Sequence, residues 1–548
     1  MISDKNRVFD GWISLEGGVD GGRAADMLEP NQVAGAINMS FRGGTVSTRP
    51  GFRKLEEEFP AIWVESLQRA TPDRQHWCYN APFKSELLDR IRGEYAGMDE
   101  VFIEPNDPPP GYFVQPEFVG QNSEYVYKHG KFQCAHAYSP HYGEDCIMAM
   151  IGGRLFKIIP KVNTSKVTEI IIDDDPRKLR NMERFPMAYM CQADKWLIVQ
   201  DGISAPIIYD GSKARRSKTS GLPEEVEIPV GTITAYGMGR IVTIVNDRDV
   251  AFGDLQGSHD LPDPSDSLIL FTERNFLTEG FDAAIPFQQG VVTGMMFIPQ
   301  LDSSTGNGQL MVFAERGATS FFLSLDRELW KTSTFQVLSL LTTGMRGHRS
   351  ISVVNEDLWF RSDDGMRSYR QARSEPSGWA HIPLSTNVRQ YLENDSEFLL
   401  KYCSAMYFDN RILVTTSPMW FNGRPIHWGM VVVDFDIISA FGGTATQPQA
   451  SKPAWEGEWI SPNFLPSQIF TGTFNGMTRA FVFGLDNAGQ NSLFELSSDD
   501  KDDYNGTKIG WEFDTRSFDF NKLDPQNSTV FTENELYDAD IWLKEVIE

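Results

Sequence analysis

From about residue 130 onward the chain is a succession of β-hairpins of one kind, and that succession limits the folds open to it. An apolar strand runs into a turn of Asn, Asp or Gly, and a second strand follows. IMAMIGGRLFKIIP turns at Gly152-Gly153, and DKWLIVQDGISAPIIYDG turns at Asp201-Gly202. GRIVTIVNDRDVAFGD turns near Asn246-Asp247, and GQLMVFAERGATSFFLSL near Arg316-Gly317. EDLWFRSDDGMRSYR turns at Asp364-Gly365, NRILVTTSP pairs with HWGMVVVDFD, and MTRAFVFGLDNAGQNSLFEL turns near Asn487–Gly489. Asx and Gly tolerate the left-handed backbone that tight hairpins need. The hairpins recur roughly every 40–60 residues, the spacing of a four-stranded propeller blade. The fold expected is all-β: a β-propeller of six to eight blades, with about seven candidates in the repeat. A pair of packed sandwiches is the competing all-β architecture. A regular meander of hairpins without long crossovers favours the propeller.

Ahead of the repeats the pattern differs. LEGGVDGGR is a Gly-rich loop, and Pro30 sits where a first-turn proline belongs, with Val33 and Ile37 four apart, so a short helix is expected there. A hairpin follows: MSFR, a Gly43-Gly44 turn, then TVSTR, ended by Arg49-Pro50-Gly51. Further on, Phe83, Leu87, Leu88, Ile91 and Tyr95 fall near helical spacing, and PNDPPPGY (105–112) reads as a polyproline-type linker. The expected organisation is therefore an N-terminal strand and hairpin segment joining the propeller (1–60), a mixed α/β insertion with a helix and Pro-rich linker (61–130), the propeller (131–500), and C-terminal strands that close it or form a small platform (501–548). In the last segment Trp511 and Phe513, and Phe518 and Phe520, alternate with period two.

Composition agrees with a large globular β protein. Of 548 residues, 41% are hydrophobic and 23% charged, which argues against wholesale disorder. Aromatics reach 12% beside 46 Gly and 30 Pro, suiting short strands and frequent turns. The net charge of −25 repels nucleic acid and anionic membranes rather than binding them. The five cysteines, Cys78, Cys134, Cys146, Cys191 and Cys403, are odd in number and scattered, so free thiols in a reducing cytosol are expected in place of a disulfide framework. MISDKNRVFDGW has no apolar run of a secretory signal, and no stretch approaches the length of a membrane-spanning helix. The Asn-X-Ser/Thr sites at Asn163, Asn505 and Asn527 are then chance matches.

Signatures of chemistry are sparse. The phosphate-binding loop, the zinc-protease HExxH, the GxSxG elbow and the CxxC pair are all missing, and only eight histidines exist. The densest cluster is CAHAYSPHYGEDC, which holds Cys134, His136, His141 and Cys146. Its spacing matches no zinc knuckle, and the plainer reading is a hairpin with thiols in the core and histidines on a polar loop. Asp173–Asp175, and Asp499, Asp500, Asp502 and Asp503, are acidic runs, and the Asp486–Asn491 turn looks faintly like a calcium loop but lacks a downstream Glu at the right offset, so a solvated turn is the better reading. Ser362–Tyr369 resembles the Asp-box turn of sialidase-type propellers but misses its spacing by one residue. No catalytic, cofactor-binding or metal-ligating residue is assigned, and the chain is not expected to be an enzyme.

Two stretches carry a family resemblance. Met27–Phe52, with Pro30, Asn38, the Gly43-Gly44 turn and Arg49-Pro50-Gly51, resembles the opening of many phage virion proteins. ERGATSFFLSLDRELWKTSTFQVLSLLTTGMRGHRSISVVNEDLWFRSDDGMRSY (315–369) looks like the propeller blades of tail nozzle, or tail hub, proteins of short-tailed phages, and RILVTTSP and WEFDTRSF look like later parts of them. The resemblance covers most of the chain after residue 130 and the first 50 residues. It implies a structural protein of the virion tail, assembled in the host cytoplasm, whose copies form a ring, usually sixfold, below the portal and adaptor and near the tail fibres. That ring would retain and then conduct the genome, touching DNA in passage without reading its sequence. An acidic channel wall suits this, because it repels phosphates at close range.

Two other readings compete. One is a carbohydrate-binding or glycan-degrading propeller of a phage tail, with Trp and Tyr on blade loops stacking on sugar rings. A pocket at one propeller mouth with converging Arg and carboxylates would mark it. The other is a scaffold propeller of a bacterial host that binds proteins.

Overall fold

The computed structural model describes residues 14–59, 126–170, 187–217, 227–255, 281–299, 307–323, 343–354, 357–369, 383–421, 423–438, 453–497 and 502–517, with the short stretches 75–79, 112–116 and 336–339 and residues Ile172, Trp330 and Asp500. These form a seven-bladed β-propeller. Blade 1 comprises Phe132–Tyr138, Cys146–Ile151, Arg154–Pro160 and Thr164–Ile170. Blade 2 runs from Tyr189–Ala193 through Trp196–Gln200 and Ile207–Tyr209 to Ala214–Arg216, and blade 3 from Thr234–Gly237 through Arg240–Ile244 and Asp249–Phe252 to Phe281–Ala284. Blade 4 is Val292–Pro299, Asn307–Ala314, Gly317–Phe321 and Gln336–Ser339; blade 5 shows three strands, Ser352–Val354, Asp357–Ser362 and Gly365–Ser368. Blade 6 is Ala405–Phe408, Arg411–Thr416, Gly429–Ile438 and Pro453–Trp459. Blade 7 takes Phe464–Phe474, Met477–Asp486 and Asn491–Ser497 from the end of the propeller and its fourth strand, Gly51–Glu58, from the beginning of the chain.

The first strands of blades 1 to 4 touch in order around the axis, as do those of blades 5, 6, 7 and again 1. Between blades 4 and 5, Val292–Pro299 meets Asp357–Ser362 and the 3-10 turn His348–Ser350. The described core resolves into seven hydrophobic clusters, one per interface between neighbouring blades. Strand alternation produces this. In blade 4, Leu310 and Val312 face blade 3 while Met311 and Phe313 face blade 5. In blade 7, Ala480 and Val482 face blade 6 while Phe481 and Phe483 face blade 1. A blade held between two others needs apolar residues on both faces, which is why the second strands read as unbroken apolar runs.

Ring closure rests on Gly51–Glu58. It pairs antiparallel with Asn491–Ser497, matching Leu55 with Leu493 and Phe52 with Leu496. Its far end pairs in parallel with Thr164–Ile170 of blade 1, Glu56 opposite Thr164.

The outer edge of blade 6 is extended by Gly35–Ile37 and then Glu512–Asp514. The helix expected around Val33 and Ile37 is therefore absent: Gln32–Val33 and Gly35–Ile37 are strands. Gly35 admits no larger residue comfortably, since a Cβ there would lie 3.1 Å from Asp514 Oδ2. The hairpin after it forms as expected, Met39–Ser40 against Ser47–Thr48, with Gly43 and Gly44 at φ of 72° and 70°. Of the 61–130 segment the structure describes a two-stranded sheet, Gln75–Tyr79 with Tyr112–Pro116, and one helical turn at 126–129. The helix expected over Phe83–Tyr95 lies outside the described residues, as do nearly all of PNDPPPGY and the strand expected at Phe518 and Phe520. Among the described residues no helix is long and apolar enough to cross a membrane.

Candidate functional site

Three polar assemblies stand out in this apolar body. The first is a clasp built from the residues that carry the N-terminal resemblance. Asn38 adopts a left-handed φ of 57°, which Asn tolerates better than most residues. Its Oδ1 accepts from Arg49 Nε at 2.8 Å and from the Ile460 amide at 2.7 Å, and its Nδ2 donates to the Gly510 carbonyl at 2.8 Å. Arg49 donates through Nη1 to Asp503 Oδ1 at 2.9 Å and through Nη2 to Asp503 Oδ2 at 2.8 Å and the Ile460 carbonyl at 2.7 Å. Both side chains are at 0% exposure, so this fork-to-fork pair is fully desolvated. Gly51 is needed beside it, because a Cβ would lie 2.1 Å from the Asp502 carbonyl. Asp503, in an acidic run of the sequence, is thus interior. One turn away, Arg42 grips Asp434 at 2.7 Å, and Arg411 joins Glu456 at 2.9 Å and Ser40 at 2.9 Å. Burial holds the Glu456 carboxyl above the usual range against the pull of Arg411. The clasp fastens the N-terminal segment, the junction of blades 6 and 7, and the C-terminal segment at one point.

The second assembly is at the axis. Arg349, in the 3-10 turn before blade 5, donates through Nη2 to the Gln133 carbonyl of blade 1 and, at 2.8 Å, to the Ala188 carbonyl next to blade 2. Blades 1 and 5 lie on opposite sides of the ring, so this side chain spans it. His348 stacks obliquely on Tyr189 with ring centroids 6.2 Å apart. His427, fully buried, has Nδ1 3.3 Å from the Pro466 carbonyl. Burial lowers His136, His348 and His427 to about 4 each, with Arg349 adding to the effect at His348 and His427. Tyr402 lies near Arg349 and meets Trp420 edge-on at 5.5 Å.

The third is a pocket of about 320 Å³ on the face that carries the turns between second and third strands. It is lined by Glu315 and Arg316 from the blade 4 turn, Thr343 and Arg346 from the connection to blade 5, and Asp363 from the blade 5 turn. Gly344 lets this connection press onto blade 4, since a Cβ there would lie 1.7 Å from the Ala314 carbonyl. Arg346 holds Asp363 through Nε to Oδ1 and through Nη2 to Oδ2 at 2.8 Å. That bond, with Glu397 and Glu315 nearby, raises the Arg346 pKa. The two turns fall one residue earlier than their sequences suggest. Ala314 pairs with Gly317 and Ser362 with Gly365, so each Gly belongs to the ladder and Arg316 stands at an exposed apex.

The sequence-selected residues are dispersed. Cys134 and Cys146 pack between blades 1 and 2, where burial pushes both thiols up to about 12. His136 is half-buried on the first strand of blade 1, near His348, instead of on a polar loop, whereas His141 is on an exposed loop against Tyr142. Among the described residues no three His, Cys, Asp or Glu side chains converge as a metal site. In the Ser362–Tyr369 segment, Ser362 donates to Asp364 Oδ1 at 2.8 Å and Arg367 to Asp364 Oδ2 at 2.7 Å, which braces the turn. Asp486 Oδ1 accepts from the amides of Ala488 at 3.0 Å and Gln490 at 2.9 Å, bracing another. Asp173–Asp175 lie outside the described residues. Sequence reasoning passed over Arg346, Arg49's partner Asp503, and Arg349.

Strand pairing and seven interblade cores define the class: an all-β propeller closed by the strand Gly51–Glu58. No protein-family model matches the chain, and no curated protein matches it in sequence. Solved structures that resemble it include YCF48 bound to D1 peptide, with TM-score 0.35 and 9% identity over 68% of this chain and 94% of that one. BamB from Moraxella catarrhalis gives 0.32 and 8% over 66% and 82%. The β-propeller domain of Cps50 (Swd1) from Myceliophteria thermophila gives 0.35 and 8% over 66% and 100%.

Proposed function

We propose that the chain is a structural subunit of a phage tail, copies of which form a six-membered ring below the portal and adaptor that retains the genome and conducts it during ejection. The observation that supports this most is the clasp. Asn38 and Arg49-Pro50-Gly51, the residues of the virion-protein resemblance, are those that tie the N-terminal strand into the body. A shared motif with so definite a mechanical role argues for a shared architecture. Arg349 spans the propeller's own axis, so a passage for duplex DNA would lie between copies. A net charge of −25 suits a wall that must not grip phosphates, the repulsion acting within about 8 Å at physiological salt. In this reading the subunit works in the virion, against portal, adaptor and tail fibres, and makes no covalent chemistry.

Electron microscopy of the purified protein, with mass spectrometry of virions for its presence there, tests the reading. Rings with an axial hole are expected. A particle that stays solitary at every concentration, or a ring whose channel is lined by Lys and Arg, would overturn it. The pocket between blades 4 and 5 separately favours a saccharide-binding surface on the same body.

A further inference from the structure

The geometry points to the pocket between blades 4 and 5 as a binding site for a small saccharide, held by Glu315, Arg316 and Arg346. This inference does not depend on ring assembly. At about 320 Å³ the pocket is at the lower end of the range of ligand sites, about 300–1,000 Å³, so it fits a small molecule. Among the described residues its lining is two guanidiniums, two carboxylates and a threonine, with no aliphatic or aromatic side chain. Among these described residues an apolar ligand has nothing to bury against. A phosphorylated ligand would face Glu315 and Asp363, and a polycation would face Arg316 and Arg346. A polyol has no charge to be repelled, and each of its hydroxyls both donates and accepts. It can therefore donate to a carboxylate and accept from a guanidinium on the same ring.

The four charged groups are not equivalent. Asp363 is committed to Arg346 through both oxygens, which fixes the Arg346 plane and leaves Nη1 outside that pair. Among the described residues, Glu315 is held only by a long bond, 3.5 Å, from the Val291 amide to Oε2. Arg316 stands exposed at the apex of its turn. Glycoside hydrolysis needs two carboxylates free to act as acid and base or nucleophile. Here one of the two is tied, so the site binds and does not cleave. Glu397 lies within electrostatic reach of Arg346.

Titration of the full chain with galactose, N-acetylglucosamine and glucuronate, followed by ligand-observed NMR or calorimetry, tests the assignment. Glycine and aspartate serve as charged controls. At least one sugar is expected to bind, and Arg316→Ala and Glu315→Gln are each expected to weaken it about tenfold or more, with melting temperature unchanged because both groups sit at the surface. Arg389→Ala, on an exposed turn elsewhere, should not weaken it. No sugar binding by the wild type, sugar binding indifferent to Arg316→Ala, or tighter binding of the amino acids than of any sugar would each overturn the proposal.

Discussion

At the scale of single residues, stability is concentrated in a few desolvated ion pairs. Arg49 and Asp503 satisfy each other out of water, and removing either one strands a buried charge. Arg49→Ala is expected to lose about 3–5 kcal/mol, read by urea denaturation of the purified chain. Arg49→Lys should recover little, because an ammonium cannot present the planar fork that Asp503 and Ile460 accept. Arg361 and Asp395 make a second such pair at 2.9 Å, and Asp395→Ala is expected to fall in the same range. Half of the clasp is legible in the sequence. Asn38 and Arg49-Pro50-Gly51 announce a constrained turn, yet nothing local says that their counterpart is Asp503, 454 positions beyond Arg49. His136 shows the same limit: strand alternation gives its face, but only the ring brings His348 beside it.

Among the elements, those whose reasons are local could be read in advance. The Gly152-Gly153 and Gly43-Gly44 turns hold positive φ at both glycines, as their hairpins require. The turns at Glu315-Arg316 and Asp363-Asp364 are displaced by one residue because the glycine that signals a turn can also serve in the ladder. Val33 and Ile37 have the spacing of a helix, and tertiary pairing with Pro453–Trp459 and Glu512–Asp514 overrides it. The element with the largest consequence is Gly51–Glu58. Leu55 is fully buried between blades 7 and 1, so Leu55→Ala should cost about 2–5 kcal/mol. Native-state hydrogen exchange should place the lost protection in those two blades first, since their interface is bridged by this strand from the far end of the sequence.

For the whole molecule, seven interfaces of one kind share the load, and the axis is the exception. Three imidazoles there stay neutral down to about pH 4, against an ordinary value of 6.5. The unfolded chain takes up those protons near 6.5 and the folded one does not. The stability these groups confer is therefore full above pH 6.5 and falls steadily as the pH drops to about 4. Melting temperatures across that window should decline, and His427→Gln should flatten the decline; an equally steep loss in the variant would count against the axial origin. The blade count and the circular closure emerge only at this scale, because hairpins repeat in a sequence whether or not their ends meet.

The position of the closing strand in the chain also orders events on the ribosome. Gly51–Glu58 is translated early, but Asn491–Ser497, its partner, emerges on the order of a minute later. Until then a nascent sheet edge waits unmatched, open to neighbouring nascent chains and to chaperones. The circle becomes a circle only once Asn491–Ser497 has been made, so that one early strand has to be kept apart from other edges while it waits.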